Sequence, residues 1–550
     1  MTLAAKIFWH RTQAWIPFVL GGVLLYWSLL HNGSVPSGDA PHILGISDRL
    51  AWLLKSGEYI DAFDYWTQLV TPHPPAGYLV PSLFYLMGAD AAVPVLTSLV
   101  GMALVWHGMV LLAHHAQYRR WGPWVAALIL FSSAMTWSVV GQMAWDVLCA
   151  GCVAACVGHL HVSDGLRHKG HALAFGMFMG IGFMTKYTFP AFLLVPTIMA
   201  GLAVVRFRAY SGLLIALSGF LAITAPWLVT HGSAVLAYVA SSSDPMRTIS
   251  DSPASMWSVR LSPENLLYYP TVLRDSLGWP GFVLCVASAF ASWMRPAGRW
   301  AIWTILGGAF VLTFAGENQA RYLFPAVPML AVLIDIGLRP SLRNQMARIA
   351  VVGGICASLP ALFGSWSTYV TQEPVPSVRD RSHPVESLAA WGDWPWPMES
   401  FRPVANPVDS WGVDEAVAAV SSVTGSGQHQ VGLLLPRDAR MPSAATYAWM
   451  AGRRGIVWDV ATIVADGPHG RPMVFVGPVG TGSGGQARRF KVAYAVHPKG
   501  DLPKLMKQIL GQVVWTNDLP HGFQGSVWTI PAEGWDRPMG QLLQKDPLDG

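Results

Sequence analysis

The chain has 550 residues, of which 52% are hydrophobic and 12% are charged, and its formal net charge is +5. Globular domains carry about 25% charged residues, so the composition excludes an ordinary soluble protein. Apolar runs long enough to cross a hydrocarbon core about 30 Å thick recur through the first two-thirds of the chain. The basic residues lie in short loops, which indicates orientation signals and not nucleic-acid binding. We therefore predict a polytopic α-helical membrane protein.

The apolar runs predict about eleven transmembrane helices. They are 14–31, 92–115, 121–141, 143–162, 171–187, 188–205, 211–231, 279–295, 299–316, 322–338 and 348–369. The apolar segment 76–88 is too short to cross a bilayer and follows three prolines. We interpret it as a helix lying in the membrane interface.

This interpretation decides the topology. It places Arg119 and Arg120 in the cytoplasm, together with the N-terminus and the basic residues of the later short loops, as the positive-inside rule requires. The first loop 32–91, the loop 232–278 and everything after about residue 371 then lie outside. If 76–88 crossed the membrane instead, the later loops would invert.

The chain changes character after the last predicted span. Residues 372–410 are rich in Pro, Trp and Ser, which is typical of a linker or collar over the membrane. Residues 411–550 predict an exported soluble α/β domain, separate from a transmembrane catalytic domain over 1–371. Its predicted elements are helices at 412–424 and 502–512, a strand at 430–435, and strands within MVFVGPV, FKVAYAV and GSVWTIP.

Ionisable groups within or beside spans are costly to place and are therefore functional candidates. The predicted topology brings most of them to the outer face: Asp39, His42, Asp61, Asp64 and His73 in the first loop, then Gln142, Asp146, Lys186, Tyr187, Glu317, Arg321 and Tyr322 at later span ends. Each alone could equally be a solvated charge at a loop end. As a set they favour a shared cavity at the outer leaflet.

Such a set suits displacement at a carbon that bears a phosphate leaving group. A carboxylate can act as general base on the acceptor, and Lys and Arg can hold the departing phosphate, Arg through a bidentate fork. Membrane embedding indicates that the phosphate belongs to a lipid. No P-loop and no GxGxxG in a Rossmann context is present, which disfavours a soluble nucleotide donor.

Six short segments resemble the GT-C class of polyprenyl-phosphate-dependent glycosyltransferases, specifically the protein O-mannosyltransferase and lipid A aminoarabinose transferase branch. They are SGDAPHILGISDRLAWLLKSGEY, TPHPPAGYLVPSLFYLMG, WDVLC, GFMTKYTFPAFLLVP, APWLV and ENQARYLFPAVPML, which lie in the expected order within roughly residues 14–340. One departure is Ala40, because many members carry Glu directly after the first-loop Asp.

The resemblance implies a GT-C fold and inverting transfer of a monosaccharide from a polyprenyl-phosphate donor to a hydroxyl of a glycolipid, polysaccharide or protein, at the outer face of the cytoplasmic membrane. It implies that Asp39 is the catalytic first-loop acid, acting as the base or as the anchor of the acceptor. It implies donor phosphate binding by Lys186, Arg321, His73 and Tyr322. The remaining cavity candidates are His42, Asp64, Gln142, Asp146, Tyr187 and Glu317. No cofactor is assigned, because the lipid-linked sugar is a substrate; a divalent metal is an open alternative that no residue pattern supports, and no metal ligand is assigned.

Two alternatives from other classes remain. A transporter or lipid flippase would place ionisable groups near the bilayer midplane and would often show internal repeats. A non-catalytic subunit for envelope-polysaccharide assembly would use its exported domain to bind partners. It would not depend on Asp39, Lys186 or Arg321.

Overall fold

The computed structural model describes residues 14–26, 40–68, 74–89, 92–114, 122–141, 145–242, 261, 263–314 and 320–338, and in the C-terminal part 413–424, 428–435, 457–464, 473–475, 492–498, 513–518 and 523–529. The chain divides into two compact units. The first comprises Met1–His31 with Leu50–Val404, and the second comprises Asn32–Arg49 with Ala405–Gly550.

The region up to residue 338 is helical throughout its described parts. Its helices are α1 Ala14–Tyr26, α2 Ala40–Lys55, α3 Tyr59–Gln68, α4 Ala76–Leu86, α5 Val93–His114, α6 Gly122–Ser132, α7 Ala134–Gly141, α8 Trp145–Val162, α9 Lys169–Phe183, α10 Phe189–Phe207, α11 Tyr210–Ser242, α12 Pro263–Ser292, α13 Pro296–Thr313 and α14 Ala326–Leu338. A 3-10 turn, Ala320–Leu323, lies between α13 and α14.

Four of the described helices are long and apolar enough to cross a membrane, namely α5, α8, α10 and α11. Shorter apolar helices are α1, α4, α14 and the second part of α12. Each predicted span within the described residues contains a helix, while 348–369 lies outside them. The prediction of a polytopic helical membrane protein is therefore confirmed, whereas the number of spans stays a prediction.

The helices differ from the predicted spans in two places. The third span is interrupted at Ser133, whose Oγ lies 2.7 Å from the Oγ of Ser276 on α12. The predicted loop 232–278 is largely helical at both ends, because α11 continues to Ser242 and α12 begins at Pro263. The physical reason is that hydropathy marks the apolar part of a helix and not its polar extensions.

Helices α5 and α8 pack with their backbones in contact through glycines. A Cβ added at Gly108 of α5 would overlap the carbonyl group of Ala154, and one at Gly151 of α8 would lie 2.6 Å from the carbonyl oxygen of Gly101. Small residues at helix–helix contacts permit this close approach in membranes. The contact fixes α8, whose first turn carries Asp146.

Gly108→Ala is expected to destabilise the protein by about 1–3 kcal/mol, because the added methyl group meets backbone that cannot move aside. Thermal unfolding of the purified protein in detergent would show this as a lower melting temperature. Gly201→Ala on α10 is the matched control, because a Cβ there meets nothing within 4 Å. Equal melting temperatures for the two variants would contradict the close contact.

Two hydrogen bonds hold α4 at its ends. Lys55 Nζ donates to the carbonyl of Tyr85 at 2.7 Å, and Trp66 Nε1 donates to the carbonyl of Pro75 at 3.2 Å. The helix has 11 residues and is about 16 Å long, too short to cross a bilayer. One side of α4 is exposed and apolar, with Leu79 and Leu83, and the exposed Met87 follows directly as the C-cap. This stripe suits an interface helix, which stays a prediction.

The C-terminal part contains helix α15, Val413–Thr424, and six strands: β1 Gln428–Leu435, β2 Val457–Val464, β3 Met473–Phe475, β4 Val492–Pro498, β5 Val513–Asp518 and β6 Phe523–Thr529. They form a sheet of order β3-β2-β1-β4-β6-β5. Strand β1 pairs in parallel with β2 and β4, and the other pairs are antiparallel. Strands β1, β3, β4 and β6 coincide with predicted ones, β2 and β5 were missed, and 502–512 lies outside the described residues.

Candidate functional site

Three separate segments meet where their helices begin or end. Asp146 lies in the first turn of α8, Lys186 lies in the turn between α9 and α10, and Arg321 and Tyr322 lie in the 3-10 turn. Lys186 Nζ donates a hydrogen bond to Asp146 Oδ1 at 2.5 Å. We refer to these four residues as the Lys186 cluster.

The ion pair at its centre is buried. The side chains of Lys186 and Asp146 are 11% and 3% exposed. A buried charge is tolerated where a partner of opposite charge compensates it, and removal of one partner is strongly destabilising. The positions of the two residues are therefore coupled.

Tyr322 lies beside two cations. Lys186 Nζ is 4.4 Å from the centre of its ring, and Arg321 Cζ is 5.8 Å from the same centre. Both distances are within the range of cation–π attraction, about 6 Å. Arg321 and Lys186 are also close enough to repel each other electrostatically. With Asp146 the group carries a formal charge of +1, which suits the binding of an anion.

The turn that presents Lys186 is closed by local hydrogen bonds. The amide of Lys186 donates to the carbonyl of Gly182, and the amide of Phe189 donates to the carbonyl of Lys186, both at 3.1 Å. Gly182 is required there, because an added Cβ would overlap the ring of Phe189. Pro190 then stands in the first turn of α10, where its missing amide proton costs nothing.

The start of α4 is attached directly beside the cluster. The amide of Ala76 donates to the carbonyl of Met184 at 2.8 Å. The rings of Tyr78 and Trp145 lie edge to face with centroids 5.2 Å apart, and Trp145 also contacts Gly77. The residues that follow His73 are thereby held against the neighbours of Asp146 and Lys186.

The structure brings four of the predicted site residues together, namely Asp146, Lys186, Arg321 and Tyr322. Tyr187 instead packs against Phe183 and Met184, and Asp61 and Asp64 are exposed on α3. Asp39, His73, Gln142 and Glu317 lie outside the described residues, as does the side chain of His42, which belongs to α2.

Among the described residues, one buried arginine and one buried aspartate were missed. Arg274 on α12 is 4% exposed, and Asp335 on α14 is 3% exposed. Helix α12 packs against the 3-10 turn of the cluster. Arg274 was overlooked because the sequence placed it in an outer loop. An Asp within the predicted span 322–338 was a signal that could have been used.

A row of histidines lies about 20 Å from Asp146 along α8. His159 Nε2 is 3.3 Å from His107 Nε2, and His159 Nδ1 is 2.9 Å from His171 Nδ1. Because His159 uses a different nitrogen toward each neighbour, the three cannot share one ion. Within the described ranges, no three or more His, Cys, Asp or Glu side chains are grouped so as to hold a metal ion.

The described helices are those of a polytopic membrane protein, and comparison with solved structures supports the GT-C fold. The chain is similar to the crystal structure of ArnT from Cupriavidus metallidurans in the apo state, with a TM-score of 0.51 and 13% identity over 83% of this chain and 93% of that chain. For ArnT from the same organism bound to undecaprenyl phosphate, the TM-score is 0.53 and the identity 14%, over 95% of this chain and 98% of that chain.

No protein-family model and no curated protein matches the chain. At identities this low, the structural similarity establishes the fold alone. The resemblance to the GT-C class and its lipid A aminoarabinose transferase branch, predicted from six short segments, is confirmed at that level.

Proposed function

We propose that the protein is an inverting glycosyltransferase that moves a monosaccharide from a polyprenyl-phosphate donor to an acceptor hydroxyl at the outer face of the cytoplasmic membrane. The observation that carries the proposal is the buried Lys186 cluster, a site of net positive charge at span ends. The structural neighbour crystallised with undecaprenyl phosphate supports a lipid phosphate as the anion.

The proposed reaction is a single displacement. Asp39 takes the proton of the acceptor hydroxyl, and the acceptor oxygen attacks the anomeric carbon. A bond forms between these atoms while the bond from that carbon to the phosphate oxygen breaks, which inverts the configuration. The departing polyprenyl phosphate carries the electron pair and the negative charge.

The cationic groups stabilise that departing phosphate. Arg321 and Tyr322 are each partly exposed, so they can contact a ligand directly, and His73 precedes the segment attached beside the cluster. Lys186 adds positive charge next to them, and Arg274 supplies a further buried cation on the adjoining helix α12. Preorganised charges of this kind act on the transition state without reorganisation.

The proposal is tested by measuring sugar transfer from donor to acceptor. The full-length protein in lipid nanodiscs would be incubated with a panel of radiolabelled polyprenyl-phosphate sugars and with envelope extracts as acceptors. We expect one sugar to pass to a chloroform-insoluble or larger product, with free polyprenyl phosphate released in equal amount. If no member of the panel is consumed or bound by the wild-type protein, the glycosyltransferase proposal fails.

Arg321→Lys is expected to weaken donor binding about tenfold to a hundredfold, corresponding to the 1.5–3 kcal/mol of hydrogen bonds to a charged group. A lysine keeps the charge but loses the planar fork that matches a phosphate. Competition of unlabelled polyprenyl phosphate against the labelled donor measures this change. Arg299→Lys is the control, since Arg299 is exposed on α13. Unchanged affinity in Arg321→Lys would exclude a bidentate contact.

The proposed topology places the N-terminus in the cytoplasm and residues 411–550 outside. Ser426→Cys should react with a membrane-impermeant maleimide in intact cells with a permeabilised outer envelope, and Gln117→Cys should react after the inner membrane is broken. Of the five cysteines, Cys149, Cys152, Cys156 and Cys285 are buried, and Cys356, which lies outside the described residues, is replaced by Ser in both variants. The reverse pattern would separate Asp39 from the phosphate site and contradict the mechanism.

A further inference from the structure

Lys186 has two partners within the protein before any ligand arrives. Its ammonium group lies 2.5 Å from Asp146 Oδ1 and 4.4 Å from the centre of the Tyr322 ring. Its side chain is 11% exposed. Of the three N–H donors of the ammonium, one is used by the carboxylate and another side of the group faces the ring, so Lys186 is held mainly by the protein itself.

Tyr322, in contrast, lies on a short element. It belongs to a 3-10 turn of four residues, Ala320–Leu323, and such short turns have poor hydrogen-bond geometry of their own. Its ring contacts the ammonium of Lys186, which belongs to a different part of the chain. The ring also packs against the main hydrophobic cluster, and cation–π attraction to a desolvated ammonium adds a preference for one orientation of the ring.

From this arrangement we infer that Lys186 is a positioning residue, anchored by Asp146, which fixes the ring of Tyr322 so that Tyr322 and the adjacent Arg321 meet the donor phosphate. Asp146 holds the ammonium of Lys186 in place, and the ammonium fixes the orientation of the Tyr322 ring. The centre of this ring lies 5.8 Å from Cζ of the Arg321 guanidinium. The inference rests on the proposed function for the identity of the anion, but the link between Lys186 and Tyr322 exists without any ligand.

The link is tested first in the protein without donor. Tyr322→3-fluorotyrosine gives a single ¹⁹F signal, which is compared with and without the double replacement Asp146→Asn/Lys186→Met. These two substitutions keep the side chains close to their original shapes and leave no unpaired buried charge. The chemical shift is expected to change, whereas Lys169→Met, an exposed lysine at the start of α9, leaves it in place. An unchanged signal in the double replacement would overturn the inference.

The second measurement is a double-mutant cycle on the affinity for undecaprenyl phosphate. With Tyr322 present, Asp146→Asn/Lys186→Met is expected to weaken binding about as much as Tyr322→Leu does. In the Tyr322→Leu background, the same double replacement should add less than about a twofold loss. Equal losses in both backgrounds would make Lys186 a direct ligand and overturn the inference. If the wild-type protein does not bind undecaprenyl phosphate, the proposed function is contradicted. The positioning role of Lys186 is then still decided by the fluorine comparison, which needs no donor.

Discussion

Asp39→Asn is expected to lower turnover by about 10²–10⁴-fold while donor binding survives, because the amide cannot accept the proton of the acceptor hydroxyl. Asp39 directly precedes α2, which begins at Ala40. The competing role is an N-cap, which Pro41 near the helix start also suits. Asparagine caps a helix about as well as aspartate, so this substitution removes the base and keeps the cap.

The measurement is the single-turnover rate with saturating labelled donor, alongside donor affinity and melting temperature. Asp61→Asn serves as the matched control, since Asp61 is an exposed carboxylate on α3 of the same predicted loop. A fall in rate confined to Asp39→Asn, at unchanged melting temperature, is the expected result. An Asn variant of nearly normal rate would leave Asp39 with a capping role alone.

The helices were predictable because the bilayer imposes a simple requirement on sequence. Apolar runs of sufficient length mark spans, and ionisable residues at their ends mark candidates for function. That reasoning singled out Asp146, Lys186, Arg321 and Tyr322, which the structure brings together. It worked best where one physical cause, the cost of placing polar groups in hydrocarbon, acts on a local stretch of chain.

The pairing within the cluster could not be predicted in this way. Asp146 and Lys186 are 40 residues apart, and each looks like a charge at the end of a loop. Their contact depends on how α8 and the turn after α9 are packed together, which no local pattern records. Arg274 was missed for a related reason, because polar residues at the start of α12 hide the helix from a hydropathy profile. Strand β2 was missed because its polar residues, Asp459 and Thr462, do not alternate with period two.

The buried ion pair should also dominate the stability of this region. Lys186→Met alone leaves the carboxylate of Asp146 buried without its counter-charge, and among the described residues the Oδ2 atom of Asp146 has no hydrogen-bond partner even in the intact pair. Loss of one partner of a buried pair costs about 3–5 kcal/mol. Lys186→Met is therefore expected to give the lowest melting temperature among the variants of this pair.

Neutralising the remaining carboxylate should recover most of that loss. Replacing both members of a buried pair by neutral groups of similar volume is often close to neutral for stability, so Asp146→Asn/Lys186→Met is expected to melt well above Lys186→Met, although it has lost the same ion pair. Thermal unfolding of both variants and the wild type in one detergent measures the order. If the double variant melts as low as the single one, the unpaired charge is not the cause of the instability. The inference that a close ion pair positions Tyr322 and Arg321 would then lose its support.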